Sequence, residues 1–245
     1  MRKRNHCFAL LPVLFMVLLS GCYFDIDGDG PGPVVRGSGD IVVEERILSD
    51  FDRVVAEGSL ELIIGQGTEQ YVEVEADDNL LPYIRTSVRG GELRISSTRS
   101  FRTRHDIKVY ITLTELEALQ IRGSGDVYGK TAISGSELDL EIDGSGDVDM
   151  ELYYNEIDSE INGSGNFRLS GETVEQDIRI NGSGDYKAAD LLSVEADVNI
   201  NGSGNSVVSV SDYLRAEIKG SGDIIFYGSP SVESYIDGSG DLIQR

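Results

Sequence analysis

The chain has 245 residues, a formal net charge of −22, two cysteines and two histidines. A surface this acidic repels nucleic acid and anionic headgroups and favours solubility and cationic partners. With so few thiols and imidazoles, cysteine nucleophile chemistry and His-cluster metal chemistry are nearly excluded.

Residues 1–21 read as a secretion signal: Arg2, Lys3 and Arg4 form a basic start, and Phe8 to Leu19 form an apolar run too short for a spanning helix. The run ends in Leu19-Ser20-Gly21-Cys22, which resembles the lipobox of bacterial lipoproteins. That resemblance implies cleavage before Cys22 and a lipid on its thiol, so that the mature chain is anchored to a membrane without spanning it. The competing reading is an ordinary signal peptide with a chance cysteine. Cleavage also removes Cys7 and leaves His105 as the single histidine. Tyr23 after the cysteine resembles the enterobacterial pattern for outer-membrane sorting, and Asp25, Asp27 and Asp29 resemble a surface-export signal. The expected location is the bacterial cell envelope, lipid-anchored at the outer membrane and facing either the periplasm or the surface.

Residues 22–36 are an acidic tether rich in Gly and Pro. Within it, Asp25 to Gly30 matches the opening of an EF-hand loop. The twelfth position is Arg36 rather than Glu, and Pro31 and Pro33 interrupt the remainder, which argues against calcium binding there.

Residues 37–120 form an N-terminal β section in which Ile41-Val42-Val43, Leu60 to Ile64, Tyr71 to Val74 and Ile107 to Leu113 read as short strands between Gly and Asp/Asn punctuation. Asp78 to Ile84 fits a single helical turn, and no segment has a long helical stripe. Residues 85–108 hold seven basic side chains, including Arg99, Arg102 and Arg104 near Phe101 and His105. They are expected to form a basic patch, either a contact site or a clamp onto the acidic half.

Gly-Ser-Gly-Asp/Asn occurs eight times, starting at Gly37, Gly123, Gly144, Gly163, Gly182, Gly202, Gly220 and Gly238. From Gly123 the starts are 21, 19, 19, 20, 18 and 18 residues apart, the signature of a repeat architecture over residues 121–245. An isoleucine stands two residues before each of these seven motifs, from Ile121 to Ile236, with a polar residue between. Alternating apolar positions resume after each motif. The expected fold is therefore all-β, a parallel β-helix or β-solenoid with ~19-residue coils in two sections, with like stacked on like. An antiparallel meander is the alternative arrangement.

Asn-Gly and Asp-Gly suit tight corners because they supply left-handed backbone conformations, and Ser and Asp/Asn can bond neighbouring backbone. The rival reading is a calcium ladder with Asp147, Asp185 and Asp223 as weak metal candidates. Asn166 and Asn205 occupy the same position, and a cation ligand loses its charge on that change. No cofactor is expected beyond loosely bound calcium.

No Gly-x-Ser-x-Gly elbow or His-Glu-x-x-His pair is present, and no catalytic residue is assigned. The Phe51 to Leu62 segment, Val74 to Leu81, the Gly90 to Ile95 strand and the Gly-Ser-Gly-Asp series together resemble the auto-transporter adhesin head GIN domain family over roughly residues 45–235. The resemblance implies a β-helix-like envelope protein with an adhesive role and offers no catalytic residues.

The expected function is a non-enzymatic binding or adhesion module. Candidate ligand-binding residues are Arg99, Arg102, Arg104, Tyr153, Tyr154 and Tyr227, where each tyrosine could equally be core. The partner would be the membrane through the anchor, with an envelope or host-surface glycan or protein as ligand. A polysaccharide-active enzyme and a structural spacer are the rivals. The chain stops just past its last turn, so an uncapped end could self-associate.

Overall fold

The computed structural model describes residues 34–245, so Cys22, the signal segment and the Asp25 to Gly30 motif lie outside it. Its core is a β-solenoid of about seven turns with ~19-residue coils. Each coil is a flattened loop with two walls, and the sequence alternation explains why. In the strand Asp147–Gly163, Val148, Met150 and Leu152 point inward on one wall; after the bend at Asn155, Ile157 and Ile161 point inward on the other. This strand pairs in parallel register with Asn166–Gly182, which pairs with Tyr186–Gly202 and so on to Ser231–Gly238. Parallel stacking puts Ile121, Ile142, Ile161, Ile180, Ile200 and Ile218 directly on one another, all fully buried. Burying each contributes on the order of 1.5 to 3 kcal/mol. Ile236, last in the row among the described residues, is 43% exposed because none of these stacks on its far side.

The Gly-Ser-Gly corner is set by close approach between coils. Gly163 has φ +144°, and a Cβ there would collide with the carbonyl oxygen of Gly144. Gly165 lacks positive φ but would meet the carbonyl of Gly146 and Cγ2 of Ile142. Among the described residues only glycines adopt positive φ, so the flanking Asn and Asp do not supply the left-handed conformation expected of them. The serine contributes its backbone: Ser164 N–H donates to the carbonyl of Gly144 at 2.8 Å, and every later corner repeats the bond.

The departures from a fixed period are absorbed away from the isoleucine wall, in the wall that follows the corner and at the bend. The 20-residue step from Gly182 to Gly202 adds its residue between Lys187 and Asp190, opposite Arg168 and Ser170. The 18-residue step after it shifts register between Ala188 and Leu192 and again between Ser193 and Glu195, and the isoleucine row stays aligned. The two extra residues of the 21-residue step from Gly123 to Gly144 lie between Tyr128 and Ile133, outside the corner.

The parallel stack extends upstream of residue 121. Arg53–Gly58 lies under Ala118–Gly123, and Glu61–Gln66 under Asp126–Gly129. Beneath these, out of chain order, lie Glu92–Ser97 and Lys108–Leu113. The end is then covered by antiparallel pairing: Ile84–Arg89 on Glu92–Ser97, Tyr71–Asp77 on Lys108–Leu113, and Ile41–Glu45 on Tyr71–Asp77. The expected helical turn is a 3-10 turn at Leu81–Tyr83. One hydrophobic core runs unbroken from Phe51 to Phe226.

Candidate functional site

In the coil nearest the N-terminal end, the stretch between Ser97 and Lys108 stands where other coils have a tight corner. This insert carries Arg99, Arg102, Arg104 and His105, all exposed, around a cleft of about 610 Å³ that also includes Phe101. Its outer part is held by Phe101–Arg102 pairing with Val35–Arg36. Its tip is held by Thr103, whose hydroxyl donates to Asp77 and accepts from the N–H of His105. Asp77 is buried and also accepts from Gly39 N–H. The first Gly-Ser-Gly-Asp motif, at Gly37, is thus not a coil corner. It docks on the Asp77-Asp78-Asn79 turn, with Ser38 Oγ donating to Asp78 at 2.6 Å.

The other four residues of the basic run lie elsewhere. Arg85, Arg89 and Arg94 line a separate cleft, and Lys108 pairs with Glu61 at 3.1 Å on a solenoid wall. Among the described residues no carboxylate lies within ion-pair distance of Arg99, Arg102 or Arg104. The insert is therefore not clamped onto the acidic half of its own chain.

The three tyrosines separate. Tyr153 is exposed, its hydroxyl donating to Glu151 at 2.9 Å, a bond that raises its pKa. Tyr227 lies on a second cleft, of about 640 Å³, beside the exposed Leu192 and Val194. Tyr154 is buried, and its hydroxyl donates to the carbonyl of Leu116 at 2.8 Å, so this side chain faces the core rather than a ligand.

Asp147, Asp185 and Asp223 belong to a chain of acceptors. Oδ1 of each receives the backbone N–H of the Asp or Asn one coil further on: Asn166 at 3.0 Å, Asn205 at 3.2 Å and Asp241 at 2.9 Å. Asn166 and Asn205 accept in the same way from Asp185 and Asp223, both at 3.0 Å. The position needs a side-chain oxygen, which Asp and Asn both carry. Burial works against the charge of Asp185, but Lys187 and Asn205 outweigh it and hold its carboxyl below the usual range. Among the described residues no group of three or more His, Cys, Asp or Glu side chains is arranged to hold a metal ion.

The outer wall before the corners is the acidic part. Glu137, Glu156, Glu175 and Glu195 stack in one row and Asp139, Asp158, Asp177 and Asp197 in the next. Burial and then neighbouring carboxylates push the pKa of Asp158 and Glu156 up. Sequence reading gave the overall acidity but not these rows, which only the register reveals.

The solenoid thus carries Arg99, Arg102 and Arg104 exposed on an insert at its N-terminal end. The chain belongs to the family described as "Putative auto-transporter adhesin, head GIN domain", whose profile matches residues 50–230. The fold is similar to that of a "putative adhesin" from Bacteroides fragilis NCTC 9343, at TM-score 0.82 and 22% identity over 86% of this chain and 100% of that one. It is also similar to two proteins from Parabacteroides distasonis ATCC 8503, each 24% identical over 87% of this chain and 100% of theirs. One is a "putative adhesin" (TM-score 0.73) and the other a "putative lipid binding protein" (TM-score 0.71). No curated protein matches the chain. Among the described residues no helix is long and apolar enough to cross a membrane.

Proposed function

We propose that this protein is a non-enzymatic adhesion module of the bacterial cell envelope, lipid-anchored through Cys22 at the outer membrane, that holds an anionic glycan or protein surface by its basic insert. The observation that carries the reading is the insert of Arg99, Arg102 and Arg104: three exposed guanidiniums without acidic partners among the described residues, on a chain of net charge −22. Unpaired charge on a rigid support steers a partner of opposite sign and is not spent on intramolecular pairs. The rigid support is the solenoid itself, which is stiff because each coil is bonded along its length to the next. The family and the adhesin names of the similar structures support this reading, and the "lipid binding" name of one neighbour is compatible with contact at a membrane surface.

The test is adherence of beads coated with residues 34–245 to isolated cell envelopes and to cultured host cells, with released reducing ends assayed in the same wells. The reading expects adherence without release, reduced when Arg99, Arg102 and Arg104 are all changed to Glu. Release of reducing ends that stops on substitution of one carboxylate pair favours a polysaccharide-cleaving enzyme instead. For the anchor, Cys22→Ser is expected to move the full-length protein from the detergent phase to the aqueous phase.

A further inference from the structure

The cleft of Arg85, Arg89 and Arg94, of about 810 Å³, opens on the outer face of the antiparallel hairpin that covers the N-terminal end of the solenoid. Its floor follows from strand geometry. On Ile84–Arg89 the residues Arg85, Ser87 and Arg89 alternate onto one exposed face. Their partners on Glu92–Ser97 are Ser96, Arg94 and Glu92 respectively. Guanidinium and hydroxyl groups thus alternate at roughly 7 Å along the strand, and Arg85 and Arg89 stand roughly 13 Å apart.

The arginines fall into two kinds. Arg94 is held by Glu57 and Glu92, and Arg46 at the cleft edge is held by Glu44 at 3.0 Å and by the carbonyl of Leu81. Nε of Arg46 is buried without an acceptor. Arg85 and Arg89 have no carboxylate within ion-pair distance among the described residues. They are open to a ligand, while Arg94 and Arg46 are fixed in place around them.

We infer that this cleft is a binding site for an acidic oligosaccharide, with anionic groups of the sugar chain on Arg85 and Arg89 and sugar hydroxyls on Ser87 and Ser96. The chemistry of the lining selects this class. No aromatic ring lines the cleft, which removes the stacking platform that single-stranded nucleic acid uses. The site is concave and the arginines are interleaved with short hydroxyl side chains, a pattern suited to a chain bearing both charges and hydroxyls rather than to a flat bilayer. The site is separate from the Arg99 to Arg104 insert and stands whether or not that insert is adhesive.

The experiment is titration of residues 34–245 with tetragalacturonate, with maltotetraose as the neutral chain, and with single-stranded DNA and phosphatidylglycerol vesicles as other polyanions. Three proteins are compared: wild type, the Arg85→Ala/Arg89→Ala variant, and the Arg99→Ala/Arg102→Ala/Arg104→Ala variant. Both substituted pairs or triples lie on exposed positions, and unchanged melting temperatures establish that they fold. The expected result is salt-sensitive binding of tetragalacturonate but not maltotetraose, weakened about tenfold or more in the first variant and unchanged in the second. No binding of tetragalacturonate, equal loss in both variants, or binding of DNA or vesicles that is as tight and as dependent on Arg85 and Arg89 would overturn the inference. Loss of bead adherence in the second variant with retained tetragalacturonate binding separates this site from the adhesive one.

Discussion

The hydroxyl of Thr103 donates to Oδ2 of Asp77 at 2.5 Å, joining the basic insert to a buried carboxylate on the neighbouring strand. The Thr103 bond, opposed by burial and helped by Gly39 N–H and the charge of His105, holds the Asp77 carboxyl below its usual range. A depressed folded value means that the unfolded chain binds more protons as acid is added. The contribution of Asp77 is therefore full above the ordinary carboxylate range and lost as pH falls through its folded value.

The acidic wall gives the opposite slope. Glu141, Glu156, Asp158 and Asp197 have pKa values raised first by burial and then by adjacent carboxylates. A raised carboxylate costs stability as pH rises through its folded value, so mild acid relieves the wall before it attacks Asp77. Melting temperature against pH should pass through a maximum on the acid side of neutrality, and Asp77→Asn should flatten only the acid limb. A wild-type curve rising steadily to alkaline pH, or an unchanged acid limb in the variant, contradicts this.

The isoleucine row yields a contrast between neighbours. Ile180 is fully buried between Ile161 and Ile200, whereas Asn181 is exposed and donates to Asn162 at 3.0 Å. Ile180→Asp combines lost apolar burial with a buried unpaired carboxylate, a cost of about 4 kcal/mol or more. Asn181→Asp exchanges an exposed hydrogen bond for a charge, a change of about 1 kcal/mol. Chemical denaturation compares them, and equal midpoint shifts would count against an inward row.

For the acceptor chain along the corners, Asp185→Asn keeps an oxygen for Asn205 N–H but loses the ion pair with Lys187 at 3.0 Å. The pair is partly exposed, so the expected loss is within about 1 kcal/mol, whereas Asp185→Ala removes the acceptor and costs more. Millimolar calcium should alter stability only modestly, and chelator should leave the fold intact. Unfolding in chelator, or a large calcium effect that Asp185→Asn removes, would show that the carboxylates act as cation ligands.

The solenoid was legible because parallel stacking repeats the same demand on every coil. Ile142, Ile161 and Ile180 meet one another, and so do Gly144, Gly163 and Gly182, so the requirement prints itself on the sequence at a fixed period. The coil of Arg53–Gly58 and Glu61–Gln66 was illegible as a coil because its corner is Gly58-Ser59-Leu60. Gly58 retains positive φ at +101°, while Leu60 stands where later corners need their second glycine, because no corner lies beneath it. The motif at Gly37 misled in the other direction: it has the same letters but docks on Asp77 and Asp78 instead of stacking.

The candidate site was legible only in part. Arg99, Arg102 and Arg104 stood out as charge against an acidic background, but their division from Arg85 and Arg89 depends on the hairpin pairing. Tyr154 and Tyr153 were separable in principle, because the inward alternation of Val148, Met150 and Leu152 runs on through Tyr154 and breaks only at Asn155-Glu156. Gln176 carried no signal. It is fully buried in a row of aliphatic side chains, where Tyr186 donates to its Oε1 at 3.0 Å and its Nε2 donates to Ser193 at 2.7 Å. Only the register shows why a polar residue is tolerated there.

The central claim is that the basic insert at the N-terminal end of the solenoid makes a multivalent, charge-dependent contact, and the most direct test is the salt dependence of adherence for clustered against monomeric protein. Residues 34–245 are displayed on beads or left free, and retention on isolated envelopes is followed as sodium chloride is raised. The account predicts weak retention of monomer, strong retention of beads, a steep fall with salt, and a much shallower fall for the variant with Arg99, Arg102 and Arg104 changed to Glu. Equal retention of monomer and beads, or the same salt dependence in wild type and variant, would contradict it.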